Sequence, residues 1–373
     1  DRKHVDQSLK ISSKERLLTP YSGLNQLFMC STCLFSRAVE RDIILKDIEK
    51  KARLGMHQMG LPNHRTDVEQ DFFRRMGLVW TDIIRMMTYN RAHYYRYFGM
   101  LMEVLELTHN DAAQYDIQQL QKYAAPDYKN PYIVPGHYIN GYILQVKMFL
   151  MTKFLLTGIQ LGLYESYDYY SVFWYMSIIL TMSYEHFSEL RTQLDMDRRL
   201  HSSTKKVKTV KPTKLSPNTE QLILSLYCSI VKGLARLFFS LMKLKIIKKP
   251  EFILGSDDKR YQLRFGPFKK VHTPQFVPYD KYQEQYDATD NTSVILLDAV
   301  NELKQCKSII DNIKLDDPKQ QYISHDMLSS YYKVSMANML TAMKLIRVPP
   351  TDKTTAEISF TEVPYLPIVT LKN

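Results

Sequence analysis

Apolar residues return at every third or fourth position along almost the whole chain, a spacing that builds amphipathic α-helices and little else. Cys33 to Leu54 sets Leu34, Val39, Ile43 and Ile44 on one face and Arg41, Lys46 and Lys50 on the other, and Gly55 and Gly60-Leu61-Pro62 end it. Thr66-Asp67-Val68-Glu69 opens the next helix with a capping box, in which a hydroxyl and a carboxylate satisfy orphan backbone donors. That helix carries Val68, Phe72, Met76, Val79, Ile83, Met86 and Met87 inward and is read on to Leu107. Pro126, Pro131, Pro135 and Gly136 break the chain. Two apolar helices follow, Tyr142 to Leu163 and Tyr167 to Leu190, joined by a turn at Tyr164-Glu165. So short a connection implies antiparallel neighbours.

Beyond them, Gln221 to Leu244 bears a narrow polar stripe of Ser225, Ser229, Lys232, Arg236, Ser240 and Lys243, and the rest of the helix is predicted to be buried. Phe252 to Tyr282, punctuated by Pro267, Pro274 and Pro278, reads as extended. Helices are predicted over Val294 to Ile313 and Ser324 to Ile346. The tail holds Pro349, Pro350, Pro364 and Pro367, and its Phe360, Val363, Tyr365 and Leu366 are spaced like an extended segment laid on a surface. No tandem repeat of fixed period is visible. The expected fold is all-α, an elongated scaffold of long antiparallel helices with an extended, Pro-punctuated C-terminal segment. Its regions are 1–125 (N-terminal helices), 126–197 (paired apolar helices), 198–217 (a basic linker), 218–348 (C-terminal helices) and 349–373 (a docking tail).

A length of 373 residues is enough for a large core, and 45% hydrophobic against 24% charged residues excludes wholesale disorder. Only 12 Gly and 16 Pro argue against collagen-like, propeller or turn-rich β architectures. The chain starts at Asp1 without an apolar signal segment and is read as a fragment of a longer protein. Four cysteines form no disulfide framework. Cys30 and Cys33 make a lone C-x-x-C with neither a βαβ context nor two further ligands, Cys228 sits in a separate apolar helix, and His57 and His64 fall in loop-like sequence. Buried thiols in a reducing compartment are the expectation. Tyr169 to Tyr184 is uncharged over 16 residues. A membrane span needs about 18 to 20, and four tyrosine hydroxyls there would need partners, so a core helix is expected.

The search for chemistry is mostly negative. No phosphate-binding loop, H-E-x-x-H, G-x-S-x-G or EF-hand loop is present. An acyl-CoA pyrophosphate cradle needs Arg or Gln, then Gly three and Gly or Ala five positions later. Arg74 and Gly77 run on to Val79, and Arg96 and Gly99 to Leu101, so both fail at the last position. His93, His109, His186 and His325 each stand alone on a predicted helix. No catalytic residue, metal ligand or bound cofactor is therefore assigned. Two features resist a purely structural reading. Arg198, Arg199, Lys205, Lys206, Lys208, Lys211 and Lys214 form a basic run without an acidic residue, and the net charge is +11. Such a run is either a solvated linker or a phosphate-binding strip. The aromatics of Tyr164 to Phe187 could stack bases, but at helical spacing they read as core.

Five stretches then carry a resemblance. YNRAHYYRYF (Tyr89 to Phe98), YESYDYYSVFWYMSIIL (Tyr164 to Leu180), KRYQLRFGPF (Lys259 to Phe268), HTPQFVPY (His272 to Tyr279) and ISFTEVPYLPIVTL (Ile358 to Leu371) occur in this order. Together they resemble the C-terminal half of the large auxiliary subunit family of the NatC N-terminal acetyltransferase complex, from about Cys30 to Leu371. The resemblance implies a non-catalytic helical scaffold with a catalytic acetyltransferase subunit, a small Sm-like auxiliary subunit and the ribosome as partners. It implies cytoplasmic, ribosome-associated location and acetylation of chains beginning with Met and a bulky apolar residue, with acetyl-CoA on the partner. It also marks Asn90, Arg91, Lys259, Arg260, Tyr261, Arg264 and Phe265 as partner-binding or packing positions, and makes the basic run a candidate for ribosomal RNA contact. The family's N-R-A-R appears here as Asn90-Arg91-Ala92-His93. The alternative from composition alone is a free-standing helical protein that binds RNA.

Overall fold

A computed structural model describes residues 94–123, 138–160, 162–202, 219–250, 256–287, 291–313, 325–348, 350–351, 353–361 and 365–372. The helices expected over Cys33 to Leu54 and from Thr66, the proline-rich 126–136 segment, Cys30, Cys33, His57, His64 and His93 lie outside the described residues. Eight α-helices are described: α1 (Tyr94–Tyr123), α2 (Tyr138–Gln160), α3 (Tyr169–Ser202), α4 (Thr219–Lys243), α5 (Asp257–Phe265), α6 (Tyr279–Asp287), α7 (Thr292–Asp311) and α8 (His325–Arg347). Short 3-10 turns cover Ser166–Asp168 and Gly266–Lys270, and a two-stranded hairpin, β1 (Thr355–Phe360) and β2 (Pro367–Lys372), closes the chain. The all-α reading holds, with this small sheet as a minor addition.

The chain packs as two compact units. One comprises residues 1–149, 185–216 and 263–276; the other comprises 150–184, 217–262 and 277–373.

In the first unit, Phe98, Leu101, Met102 and Leu105 line the buried face of α1. The 3-10 turn packs on that face, with Phe268 edge-on to Phe98 at 6.0 Å.

In the second unit α4 is the central element. Leu226, Ile230, Val231, Leu234, Leu237, Phe238 and Leu241 are all fully buried, each worth about 1.5–3 kcal/mol relative to exposure. Helix α7 lies close against it, and Gly233 is why. A Cβ there would stand 2.5 Å from Leu303 Cγ. Helix α8 packs on α7 and carries β2 on another side. Among the described residues, Gln221–Lys243 is the one stretch long and apolar enough to cross a membrane, and most of it is buried within this unit. Lys232 and Arg236 hide that length from a search for charge-free runs, which finds Tyr169 to Tyr184 instead.

Two helix ends explain local turns. Helix α2 stops in a Schellman motif: Leu163 N–H donates to Gly158 O and Gly162 N–H to Ile159 O, both at 2.9 Å, with Gly162 at φ 62°. Helix α4 repeats the pattern through Ile246 N–H to Leu241 O and Lys245 N–H to Met242 O. Here the left-handed residue is Lys245, at φ 58°.

Four expectations need correction. Helix α3 runs to Ser202, so Arg198 and Arg199 stand near its end rather than in a linker, because Arg198, Arg199 and Leu200 are all good helix formers. Within the stretch read as extended, residues 257–270 and 279–282 are helical: Asp257 and Asp258 occupy the first turn of α5, where carboxylates favour helix starts, and α6 begins at Tyr279. Helix α1 continues past Leu107 to Tyr123. The tail folds back on itself as an antiparallel hairpin, with Thr355 opposite Lys372 and Phe360 opposite Pro367.

Candidate functional site

The marked residues on α5 fall in different surroundings. In the second unit, Asp168 ends the 3-10 turn before α3, and its carboxylate accepts from Glu165 N–H at 3.2 Å in a reciprocal capping box. Arg260 Nη2 reaches both Asp168 oxygens, at 2.9 and 3.1 Å, and the Tyr167 hydroxyl at 3.0 Å, with the guanidinium 4.9 Å over the Tyr167 ring. Burial works against the Arg260 charge, but the Tyr167 and Asp168 contacts outweigh it and hold the pKa above its ordinary value. Arg260 thus neutralises a buried carboxylate, which is costly to bury unpaired.

Beside it, Tyr261 is buried in an aromatic cluster. Its ring lies 5.1 Å from Tyr282, 5.4 Å from Tyr279 and 6.5 Å from Tyr175. Tyr282 also meets Trp174 at 5.0 Å and Tyr170 at 5.6 Å. The polar tips are satisfied: Tyr261 donates to Val277 O, Val277 N–H to Tyr175, and Trp174 Nε1 to Gln285. Offset and edge-on ring pairs of this kind add about 0.5–1.5 kcal/mol each beyond their area. Tyr164, Tyr169, Tyr170, Phe173, Trp174 and Tyr175 are all buried, so their faces are spent on packing and not free to stack bases.

In the first unit, Arg264 is buried with its guanidinium 5.7 Å over Phe265, which meets Phe268 at 6.2 Å. The fully buried Lys147 on α2 pairs with Glu106 on α1 at 2.5 Å and reaches His109 Nδ1 at 3.2 Å. Glu106 also contacts His272 Nδ1 at 2.8 Å, and Lys270 pairs with Glu103 at 2.5 Å. Burial would raise the Glu106 pKa, yet the Lys147 and His272 hydrogen bonds hold it below the ordinary value. Burial lowers Lys147 despite Glu106. These contacts tie the segment after α5 to α1.

Lys259 is exposed, whereas Tyr261, Arg264 and Phe265 are buried and Arg260 is half-buried. Asn90, Arg91, Lys205, Lys206, Lys208, Lys211 and Lys214 lie outside the described residues, and Arg198 and Arg199 are described only in their helical backbone. Sequence reasoning missed Glu106, Lys147, Asp168 and His272. The available signal was Lys147 itself, a cation within the apolar run Tyr142 to Met151, which demands a buried carboxylate. Of the lone histidines, His186 contacts Gly141 O at 3.3 Å and His325 is exposed at the start of α8. Among the described residues no group of three or more His, Cys, Asp or Glu is placed to hold a metal. Burial pushes the Cys228 thiol up and the Cys306 thiol up to about 11, which keeps both protonated and unreactive near neutral pH. The chemistry built here is ion-pair and aromatic fastening.

The profile of the family described as NAA35-like, TPR repeats matches residues 9–369. The chain belongs to that family. The helical repeats in its description escaped the search for a fixed sequence period. N-alpha-acetyltransferase 35, NatC auxiliary subunit, from Gallus gallus and from Homo sapiens are each 24% identical over 330 residues, covering 83% of this chain and 43% of the relative. The Drosophila melanogaster homolog is 22% identical over 322 residues, covering 79% and 40%. The chain therefore spans less than half the length of these relatives. The crystal structure of the NatC complex bound to Arl3 peptide and CoA contains a chain matched at a TM-score of 0.61 and 16% identity, over 87% of this chain and 51% of that one. The complex bound to Gag peptide and CoA gives 0.59 and 15%, over 92% and 57%. At such identity the likeness carries the helical NAA35-like fold.

Proposed function

We propose that the chain is the C-terminal part of a non-catalytic scaffold subunit of a NatC-type N-terminal acetyltransferase complex. The observation that carries this reading is the family match over residues 9–369, on a fold shared with chains of NatC complexes. In this role the chain holds a catalytic acetyltransferase subunit together with a small Sm-like subunit, and acetyl-CoA binds to the catalytic partner. Substrates are nascent chains that begin with Met and a bulky apolar residue. The basic run Arg198 to Lys214 contacts ribosomal RNA in the cytoplasm, and Asn90, Arg91 and Lys259 belong to partner-facing or packing motifs.

The contribution to rate is positional. A scaffold orders the partner's peptide and acetyl-CoA sites and raises the local concentration of substrate. Its own requirement is rigidity, which the Asp168–Arg260 pair and the Tyr261–Tyr282 cluster supply within their unit. The test is acetyl transfer to a Met-Leu peptide. This chain alone is expected to give none, and adding it to the catalytic subunit is expected to raise that subunit's kcat/KM. Turnover by the purified chain alone would overturn the proposal.

A further inference from the structure

The two strands of the C-terminal hairpin treat their outer edges differently. Thr361 N–H donates to Leu366 O at 3.0 Å. Hydrogen-bonded pairs alternate along an antiparallel ladder, so Ser359/Ile368, Glu357/Thr370 and Thr355/Lys372 also bond inward. Phe360/Pro367, Ile358/Val369 and Ala356/Leu371 turn their backbone groups outward. On β2 those outward groups are taken by α8: Pro367 O accepts from Asn338 Nδ2 at 2.8 Å, Val369 N–H donates to Asn338 Oδ1 at 3.0 Å, and Val369 O accepts from Thr341 Oγ1 at 2.6 Å. The side chains of α8 thus stand in for a third strand on that side.

On β1 the outward N–H and C=O groups of Ala356, Ile358 and Phe360 carry no hydrogen bond among the described residues. The strand is nevertheless held in place, since Phe360 stacks on Tyr365 at 4.5 Å and meets Tyr169 edge-on at 6.1 Å. No proline, lysine or bulge guards this edge, and of the usual devices against strand pairing it carries only the charge of Glu357.

We propose that β1 is a docking edge that takes up one extended polypeptide strand from another protein. Open backbone donors and acceptors at strand spacing are matched by another backbone. Side chains on the incoming strand level with Ala356, Ile358 and Phe360 join a half-buried apolar face, and those level with Thr355, Glu357 and Ser359 point to water. The Glu357 carboxylate favours a basic residue there, as it already does on its other side, where Lys372 Nζ lies 2.8 Å away. The partner segment is therefore extended, alternating apolar and polar, with Lys or Arg beside Glu357. This inference does not depend on the scaffold reading.

The test uses the full chain and a fluorescein-labelled peptide, Thr-Val-Lys-Val-Thr-Val-Lys. Expected are saturable binding by anisotropy and new hydrogen-exchange protection at the Ala356, Ile358 and Phe360 amides. Ala356→Pro removes one outward donor and leaves the β1–β2 ladder intact, so binding weakens about tenfold with an unchanged melting curve. If that variant fails to fold, the same peptide N-methylated at alternate amides decides on the natural chain, and its binding is expected to vanish. The proposal is overturned by no saturable binding, by equal binding of Ala356→Pro or of the methylated peptide, or by outward amides already protected in the free chain.

Discussion

Asn338 sits fully buried on α8 and makes three hydrogen bonds, to Val334 O, Pro367 O and Val369 N–H. In Asn338→Ala the first loss is minor, because the Val334 carbonyl keeps its helical bond. The other two are not, because Pro367 O and Val369 N–H turn away from β1 and have no alternative partner in the sheet. Leaving a buried polar group unpaired costs about 1–3 kcal/mol, so two such groups and a small cavity should cost about 3 kcal/mol. Urea unfolding measures the loss. Hydrogen exchange at single-amide resolution locates it, with Val369 expected to lose protection before the α8 amides. Thr341→Val, which removes only the bond to Val369 O, should cost about 1–2 kcal/mol. The double variant should lose less than the sum, because both side chains hold the same residue. A change below about 0.5 kcal/mol in Asn338→Ala, with Val369 still protected, would refute this reasoning.

Other outcomes follow from the same contacts. Arg260→Met should cost about 2 kcal/mol or more by stranding the buried Asp168 carboxylate, and Asp168→Asn in the same chain should recover part of it; equal stability of the two variants on urea unfolding would contradict this. Lys245→Gly should gain about 1 kcal/mol, since φ 58° strains any side chain and suits glycine; a thermal melt reads it. Stability should fall with acid in two steps. Burial lowers the His186 pKa in the folded chain, so the unfolded chain binds the proton first as pH drops through about 6.5. Glu106 is likewise lowered, and its contribution, present above its unfolded value of 4.5, is lost as pH falls through the carboxylate range. His186→Gln should flatten the first step alone in urea midpoints measured from pH 8 to 3.

Helix limits were legible where chemistry punctuates them. The Val294 to Ile313 and Ser324 to Ile346 expectations lie within two residues of α7 and α8, since Asn291 caps α7 through Ser293 and Val294 N–H. The apolar face of α4 was read correctly because six polar residues hold one side of it. Helix α5 was missed because Asp-Asp-Lys-Arg-Tyr-Gln-Leu-Arg-Phe has too few apolar positions to show a period. The hairpin was missed because the sequence between β1 and β2 holds none of the Asn-Gly or Asp-Gly signals that mark tight turns. The fastening residues were invisible for a different reason. Glu106 meets Lys147 across 41 positions and His272 across 166, and Asp168 meets Arg260 across 92. Spacing within one helix says nothing about such pairs. The NatC-family resemblance, by contrast, was readable from five ordered stretches: the described parts of four lie on α1, on α3 and α5 with their adjoining 3-10 turns, and on the hairpin, and His272 to Tyr279 leads into α6.

The scaffold reading is tested most directly by co-purification of this chain with a NatC catalytic subunit at about 0.5 M salt, where exposed charge pairs are largely screened. Retention of a one-to-one complex is expected, held by apolar surface within residues 1–373. Loss of the complex at that salt, both with this chain and with a longer one that includes the relatives' other half, would contradict it.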